Sequence, residues 1–170
     1  MINLKSIITP SNKTVWITFI MVCLSFEAVA LYYQYALNFP PCVVCIHVRV
    51  LLLVVLMLSV LGLVSRRFLF ARVVVLLSLL TSSITLIERS WQLLGTERGF
   101  IMGSCRFDLG LPSWLALDKW MPLIFKVQAA CGYTPELAFG VSMAELLLFV
   151  FCAATLFMLY LLIIVAKPTR

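Results

Sequence analysis

Four cysteines stand between the hydrophobic runs of this chain. Cys42 and Cys45 form a Cys-x-x-Cys pair within Pro40-Pro41-Cys42-Val43-Val44-Cys45, and Cys105 and Cys131 stand apart in a later, more polar stretch. Thiols exchange disulfides by thiolate attack through mixed disulfides. Two dithiols in separate loops can therefore take electrons from an external dithiol and carry them inward. The competing reading is structural, with Cys42–Cys45 and Cys105–Cys131 as loop staples. A Cys-x-x-Cys ring is too small to brace much chain, which argues against a purely structural role for that pair. Cys23 and Cys152 lie inside apolar runs and read as packing residues.

The setting of the first pair favours reactivity. Two prolines restrict the backbone at the end of one apolar run, and the cysteines open the next. A helix amino terminus carries partial positive charge and favours a thiolate. Arg49 follows Cys45 by one helical turn on the same face. It can stabilise the Cys45 thiolate or a developing anion on a bound electron acceptor; the plainer alternative is an arginine snorkelling to the headgroups. His47 is the one histidine. Cys-x-x-Cys-x-His misses the covalent haem pattern by one residue, so His47 reads as interfacial, with proton handling or acceptor contact as the alternative. Four thiolates would suffice for zinc, but a second close pair is missing, and no metal is expected. No G-x-G-x-x-G fingerprint for a dinucleotide or flavin is present. A lipid-soluble quinone beside Cys45 and Arg49 suits the remaining need: two thiols plus quinone give a disulfide plus quinol.

These residues need a membrane scaffold to hold them. The chain has 170 residues, 64% hydrophobic and 12% charged, against about 25% charged in soluble domains. Four stretches are long enough to span a bilayer: Val15 to Leu37, Ile46 to Val64, Phe68 to Ile87 and about Phe139 to Ala166. The expected fold is an all-α, four-helix integral membrane bundle over 1–170, with a short first loop (38–45) and a long second one (88–138). The net charge of +6 is scattered and fits topology better than nucleic acid. Lys5 and Lys13, then Arg66, Arg67 and Arg72, then Lys167 and Arg170 all fall on one side, which the positive-inside rule makes cytoplasmic. Both termini are then cytoplasmic and all four loop cysteines face the oxidising compartment, where disulfides persist. Ala28-Val29-Ala30 imitates a signal cleavage site, but the apolar run continues past it, so the first span is read as retained.

In the long loop, Ser113 to Val127 carries Trp114, Trp120 and apolar neighbours, and is expected to form a short interfacial helix holding the loop, with Cys105 and Cys131, near the surface. Two acids lie within spans. Glu27 is either functional or a protonated helix contact, and Glu145 is read as the latter. Gln34, two turns after Glu27, extends a polar track towards the cysteine pair. Ser78, Thr81, Ser82 and Thr85 share a face of the third span and read as helix-packing groups.

Over nearly its whole length the chain resembles the bacterial disulfide-bond formation protein B (DsbB) family. The matching features are Glu27 with Ala-Leu-Tyr-Tyr-Gln34, Pro41-Cys42-Val43-Val44-Cys45-Ile46 followed by Arg49, Leu117-Asp118-Lys119-Trp120-Met121-Pro122, and Cys105 with Cys131. The resemblance implies a mechanism in the bacterial inner membrane. Cys105 and Cys131 form the disulfide attacked by a DsbA-like thioredoxin-fold periplasmic oxidase, with Cys105 taking the mixed disulfide. Cys131 then attacks Cys42 and releases the Cys45 thiolate, which makes charge-transfer contact with ubiquinone or menaquinone, assisted by Arg49. The histidine some members carry near the outer end of the third helix is absent; Ile87-Glu88-Arg89 stand there, and Glu88 becomes a candidate quinone contact. Vitamin K epoxide reductase-like enzymes also couple Cys-x-x-Cys to quinones, but there the motif comes late in the chain. A non-enzymatic membrane scaffold with stapled loops is the third reading.

Overall fold

The computed structural model describes residues 9–102, 109–110, 116–132 and 140–166. Among them the regular elements are all helical: α1 (Lys13–Tyr35), α2 (Val43–Ser65), α3 (Leu69–Glu97), α4 (Leu117–Trp120), α5 (Pro122–Phe125) and α6 (Met143–Ala166). Helices α1, α2, α3 and α6 are long and apolar enough to cross a membrane. A helix satisfies its own backbone hydrogen bonds, as hydrocarbon requires. The protein is thus an all-α, four-helix membrane bundle.

Each start has a local cause. Asn12 caps α1 by accepting from the Thr14 amide. Cys42 caps α2, its sulfur accepting from the Cys45 amide. Ser142 and Glu145 form a reciprocal capping box at α6: the Ser142 amide donates to Glu145 Oε2 (3.2 Å) and the Glu145 amide to Ser142 Oγ (3.3 Å). Helix α1 stops at Tyr35, before the prolines. Asn38 takes a left-handed φ of 54°, which asparagine tolerates, and the Leu37 and Phe39 amides fold back onto the Tyr32 and Tyr33 carbonyls.

The third helix departs most from expectation. The sequence places the end of its span at Ile87, yet α3 continues to Glu97. At 1.5 Å per residue its 29 residues reach about 43 Å, against a hydrocarbon core of about 30 Å. The end of an apolar run marks where lipid stops, not where a helix stops. Leu86, Ser90 and Leu93 keep the helical spacing and stay buried, so packing carries the helix past Glu88 and Arg89. The segment expected to be one interfacial helix is two single turns, broken at Met121–Pro122, with Trp120 and Leu123 turned outward and Phe125 buried.

Helix α3 packs on α2 and α6, and α1 packs on α2. The rings of Phe19 and Phe157 (centroids 5.9 Å apart) and of Phe26 and Phe151 (6.2 Å) close α1 onto α6. Two sequence readings change here. Ser78, Thr81, Ser82 and Thr85 bond carbonyls of their own helix. The hydroxyl that joins two helices is buried Ser83, which accepts from Thr155 Oγ1 at 3.1 Å. Cys23 is buried as expected, but Cys152 is exposed, on a helix whose Phe149 and Leu156 also face outward. That rim is what lipid would cover.

Small size decides the α1–α2 contact. Trp16 is fully buried and its indole N–H donates to the Pro10 carbonyl at 2.8 Å. Its ring lies over Gly62, where an added Cβ would come within 2.1 Å of the ring. Close helix approach through a small residue is the usual device where lipid supplies no hydrophobic drive. Gly62→Leu is expected to cost about 1–3 kcal/mol by overpacking. Heating the purified protein in detergent while following tryptophan fluorescence checks this; an unshifted midpoint would refute the contact.

Candidate active site

The first dithiol sits at the amino terminus of α2. Cys42 Sγ and Cys45 Sγ are 2.6 Å apart, and the Cys45 amide donates to Cys42 Sγ at 3.2 Å. A sulfur thus stands where a cap oxygen usually would, facing the unsatisfied amides of the first turn.

Backbone pairing brings a third sulfur to the same point. The Pro41 carbonyl accepts from the amides of Gln128 (3.0 Å) and Ala129 (3.3 Å), and Cys42 and Ala129 form a parallel bridge. Two residues later Cys131 lies against Cys42, close enough for a sulfur–sulfur hydrogen bond, with the Val44 and Val43 amides also directed at its sulfur. Gly132 follows at a φ of 115°, beside Thr96 of the α3 extension. The Cys42 sulfur therefore has Cys45 on one side and Cys131 on the other. Cys105 lies outside the described residues.

The three sulfurs differ electrostatically. The hydrogen bond from Cys131 pulls the Cys42 thiol down, but the bond to Cys45, burial and the nearby Cys45 charge outweigh it and push it up to about 12. Cys131 is also raised, by its bond to Cys42 and by burial, against the opposing pull of the Val44 and Val43 amides. Cys42 is thus held as a thiol, a poor leaving group and a sulfur better suited to being attacked.

Arg49 lies one turn below Cys45, almost fully buried, so it does not snorkel. A buried guanidinium must be paired and hydrogen-bonded. Its Nη1 donates to Gln34 Oε1 (2.7 Å) and the Ile124 carbonyl (3.1 Å), and its Nε to Glu27 Oε2 (3.5 Å). Glu27 and Gln34 thus form the polar track expected from sequence, and the arginine is its hub. Gln34 in turn donates to the Leu123 carbonyl at 3.0 Å, as does the Tyr35 hydroxyl. Nη2 of Arg49 is buried without a partner.

Cys45, Arg49 and Gln34 share a cavity of about 120 Å³ with Tyr33, Phe39, Pro40, Pro41, Leu93 and Met143. An apolar cavity of about 150 Å³ accepts a benzene ring, so this one is near the size that takes a planar ring. Its mostly apolar wall, one arginine and one cysteine fit a quinone ring: a carbonyl oxygen would accept from Arg49 and the ring would lie by the sulfur.

The other sequence candidates fall elsewhere. Glu88 is exposed on α3, accepts from Gln92 Nε2 at 3.2 Å, and lines a separate cleft with Val44, Trp91 and Cys131. His47 lies in another cleft, its Nε2 2.8 Å from the Leu109 carbonyl. Neither borders the Cys45–Arg49 cavity. Glu145, read as a protonated helix contact, instead pairs with Arg98 across the α3–α6 gap and caps α6. Its signal was present: Ser142-Met-Ala-Glu145 is a capping-box pattern. The Pro41, Leu123 and Ile124 carbonyls had no such signal, since any residue supplies one. Among the described residues no cluster of metal-ligating side chains occurs.

Comparison with known proteins agrees with this architecture. A family model described as Disulfide bond formation protein DsbB matches residues 12–161. The chain is 33% identical over 149 residues to Disulfide bond formation protein B 2 of Pseudomonas aeruginosa, covering 85% of this chain and 88% of that one. It is 29% identical over 179 residues to Disulfide bond formation protein B of Shewanella denitrificans, covering 98% and 97%. With the Pectobacterium atrosepticum protein of the same name it shares 30% identity over 161 residues, covering 94% and 89%. The match runs through all four long helices and the segments that carry the cysteines, and the chain belongs to the DsbB family of disulfide bond formation proteins.

Proposed function

We propose that this chain is a membrane thiol:quinone oxidoreductase that reoxidises a DsbA-like, thioredoxin-fold periplasmic oxidase and so sustains disulfide formation. The observation that carries the reading is the shared position of Cys42, flanked by Cys45 and Cys131, with Cys45 and Arg49 lining one cavity. The reading includes an orientation in the bacterial inner membrane: both termini cytoplasmic, both cysteine loops periplasmic.

The relay balances. A thiolate of the partner attacks Cys105 of the Cys105–Cys131 disulfide, forming a mixed disulfide and freeing Cys131. Cys131 attacks Cys42, and Cys45 departs as the thiolate, the better leaving group beside the helix terminus and Arg49. The partner's second thiol resolves the mixed disulfide and returns Cys105 as a thiol. Cys105 then attacks Cys131, breaking the Cys42–Cys131 bond and freeing Cys42, and Cys42 and Cys45 give up two electrons as their disulfide re-forms. Ubiquinone or menaquinone supplies the acceptor: two electrons and two protons leave as quinol. Arg49 orients the carbonyl that gains charge, Gln34 and the Ile124 carbonyl hold Arg49, and the apolar wall excludes water.

Two variants separate the halves of this scheme. Cys105→Ala is expected to abolish oxidation of a reduced thioredoxin-fold partner while dithiothreitol still drives quinone reduction through Cys42 and Cys45; partner oxidation at the normal rate would refute the order. Losing one charge-assisted hydrogen bond costs about 1.5–3 kcal/mol, so Arg49→Gln is expected to raise the quinone KM at least about tenfold. Steady-state assays over a quinone series read this out, and an unchanged KM would reduce Arg49 to a structural role.

A further inference from the structure

His47 and Arg89 are left unused by the thiol site, and they meet in one cleft. Successive helical residues turn by about 100°, so Cys45 and His47 lie about 200° apart on α2. One face carries Cys45, Val48 and Arg49 to the cavity described above. The opposite face carries His47, Val50 and Leu51 into a second cavity of about 280 Å³, completed by Thr85 and Arg89 of α3 and by Leu109.

The chemistry of this cleft is layered. A carbonyl only accepts, so His47 Nε2 donates its proton to the Leu109 oxygen at 2.8 Å. The other ring nitrogen, Nδ1, is buried without a partner. Arg89 supplies a permanent cation, with one η nitrogen 3.0 Å from Gln92 Oε1. Thr85 Oγ1 donates to the Thr81 carbonyl and keeps acceptor capacity. Val50 and Leu51 lie one turn deeper than His47, towards the bilayer interior. The cleft therefore asks for a ligand with an anion, a hydroxyl donor beside it, and an apolar chain below.

We propose that the cleft binds the phosphoglycerol headgroup of an anionic membrane lipid of the phosphatidylglycerol type. The phosphate pairs with Arg89, a glycerol hydroxyl donates to Thr85 Oγ1, and an acyl chain follows Val50 and Leu51. Basic pockets between membrane helices bind anionic headgroups. A choline headgroup carries no hydroxyl for Thr85, and choline and ethanolamine headgroups both bring a second cation beside Arg89. The ligand is lipid and not soluble phosphoester because the lower wall of the cleft is apolar.

The test uses the full-length protein in nanodiscs of equal phosphatidylglycerol and phosphatidylcholine, followed by detergent extraction and native mass spectrometry. Selective retention of one phosphatidylglycerol per chain is expected. Arg89→Gln should reduce retention roughly tenfold, the equivalent of about 1.4 kcal/mol. Leu51→Trp, which fills the apolar end, should reduce it as well, and Arg89→Lys should preserve most of it, showing that charge and not folding is read. Equal retention of the two lipids by the wild type, or retention unchanged in both Arg89→Gln and Leu51→Trp, would overturn the proposal. Displacement of the retained lipid by millimolar glycerol 3-phosphate would overturn the lipid assignment in favour of a soluble phosphoester.

Discussion

One buried guanidinium organises the cysteine-bearing end of this bundle. Arg49 is withdrawn from solvent, and a cation in that position is tolerated only when its hydrogen bonds are met. Its partners come from three places: Glu27 and Gln34 on α1, and the Ile124 carbonyl in the segment between α3 and α6. Removing any one leaves part of a buried charge unmet, so the arginine ties helix α1 and the α5 turn to α2. The same residue lines a cavity with Cys45. In the proposed function, structure and chemistry draw on this single side chain.

The second constraint is backbone pairing. The amides of Gln128 and Ala129 close on the Pro41 carbonyl, and this contact carries Cys131 to the amino terminus of α2. Proline has no amide to give, but its carbonyl is fully available, and two prolines in succession hold it in place. Cys42 has a sulfur on either side. The Cys131 hydrogen bond pulls its thiol down, but the bond to Cys45 and burial outweigh it and raise the thiol to about 12, which suits a group that receives attack rather than one that departs. In the proposed relay this asymmetry gives the exchange its direction. The long α3 contributes from the other side: its extension past Ile87 brings Thr96 beside Gly132 and places Trp91 in the cleft that Cys131 lines.

The two faces of α2 look into separate cavities. Residues one helical turn apart share a face, while residues two positions apart lie on opposite faces. Cys45 and Arg49 therefore look into the bundle, and His47 looks away from them to the gap beside α3. A reading that groups residues by nearness in sequence puts His47 at the thiol site, and the helix separates them.

Much of this was legible in the residues alone. Apolar runs long enough to span, Cys-x-x-Cys after Pro40-Pro41, and Arg49 one turn on give the helix count and put a cysteine pair and a cation on one stretch of helix, because hydrophobicity and helical period are local properties. Glu27 and Gln34 were legible as a polar track for the same reason. The end of α3, the capping role of Glu145 and the exposure of Cys152 were misread, since each depends on what packs alongside. The meeting of Cys131 with Cys42, and the separation of His47 and Glu88 from the cavity, were decided only in three dimensions. They rest on carbonyl–amide contacts and helix rotation relative to neighbours, and a backbone carbonyl looks alike at every position of a sequence until the fold chooses which one a distant amide will meet.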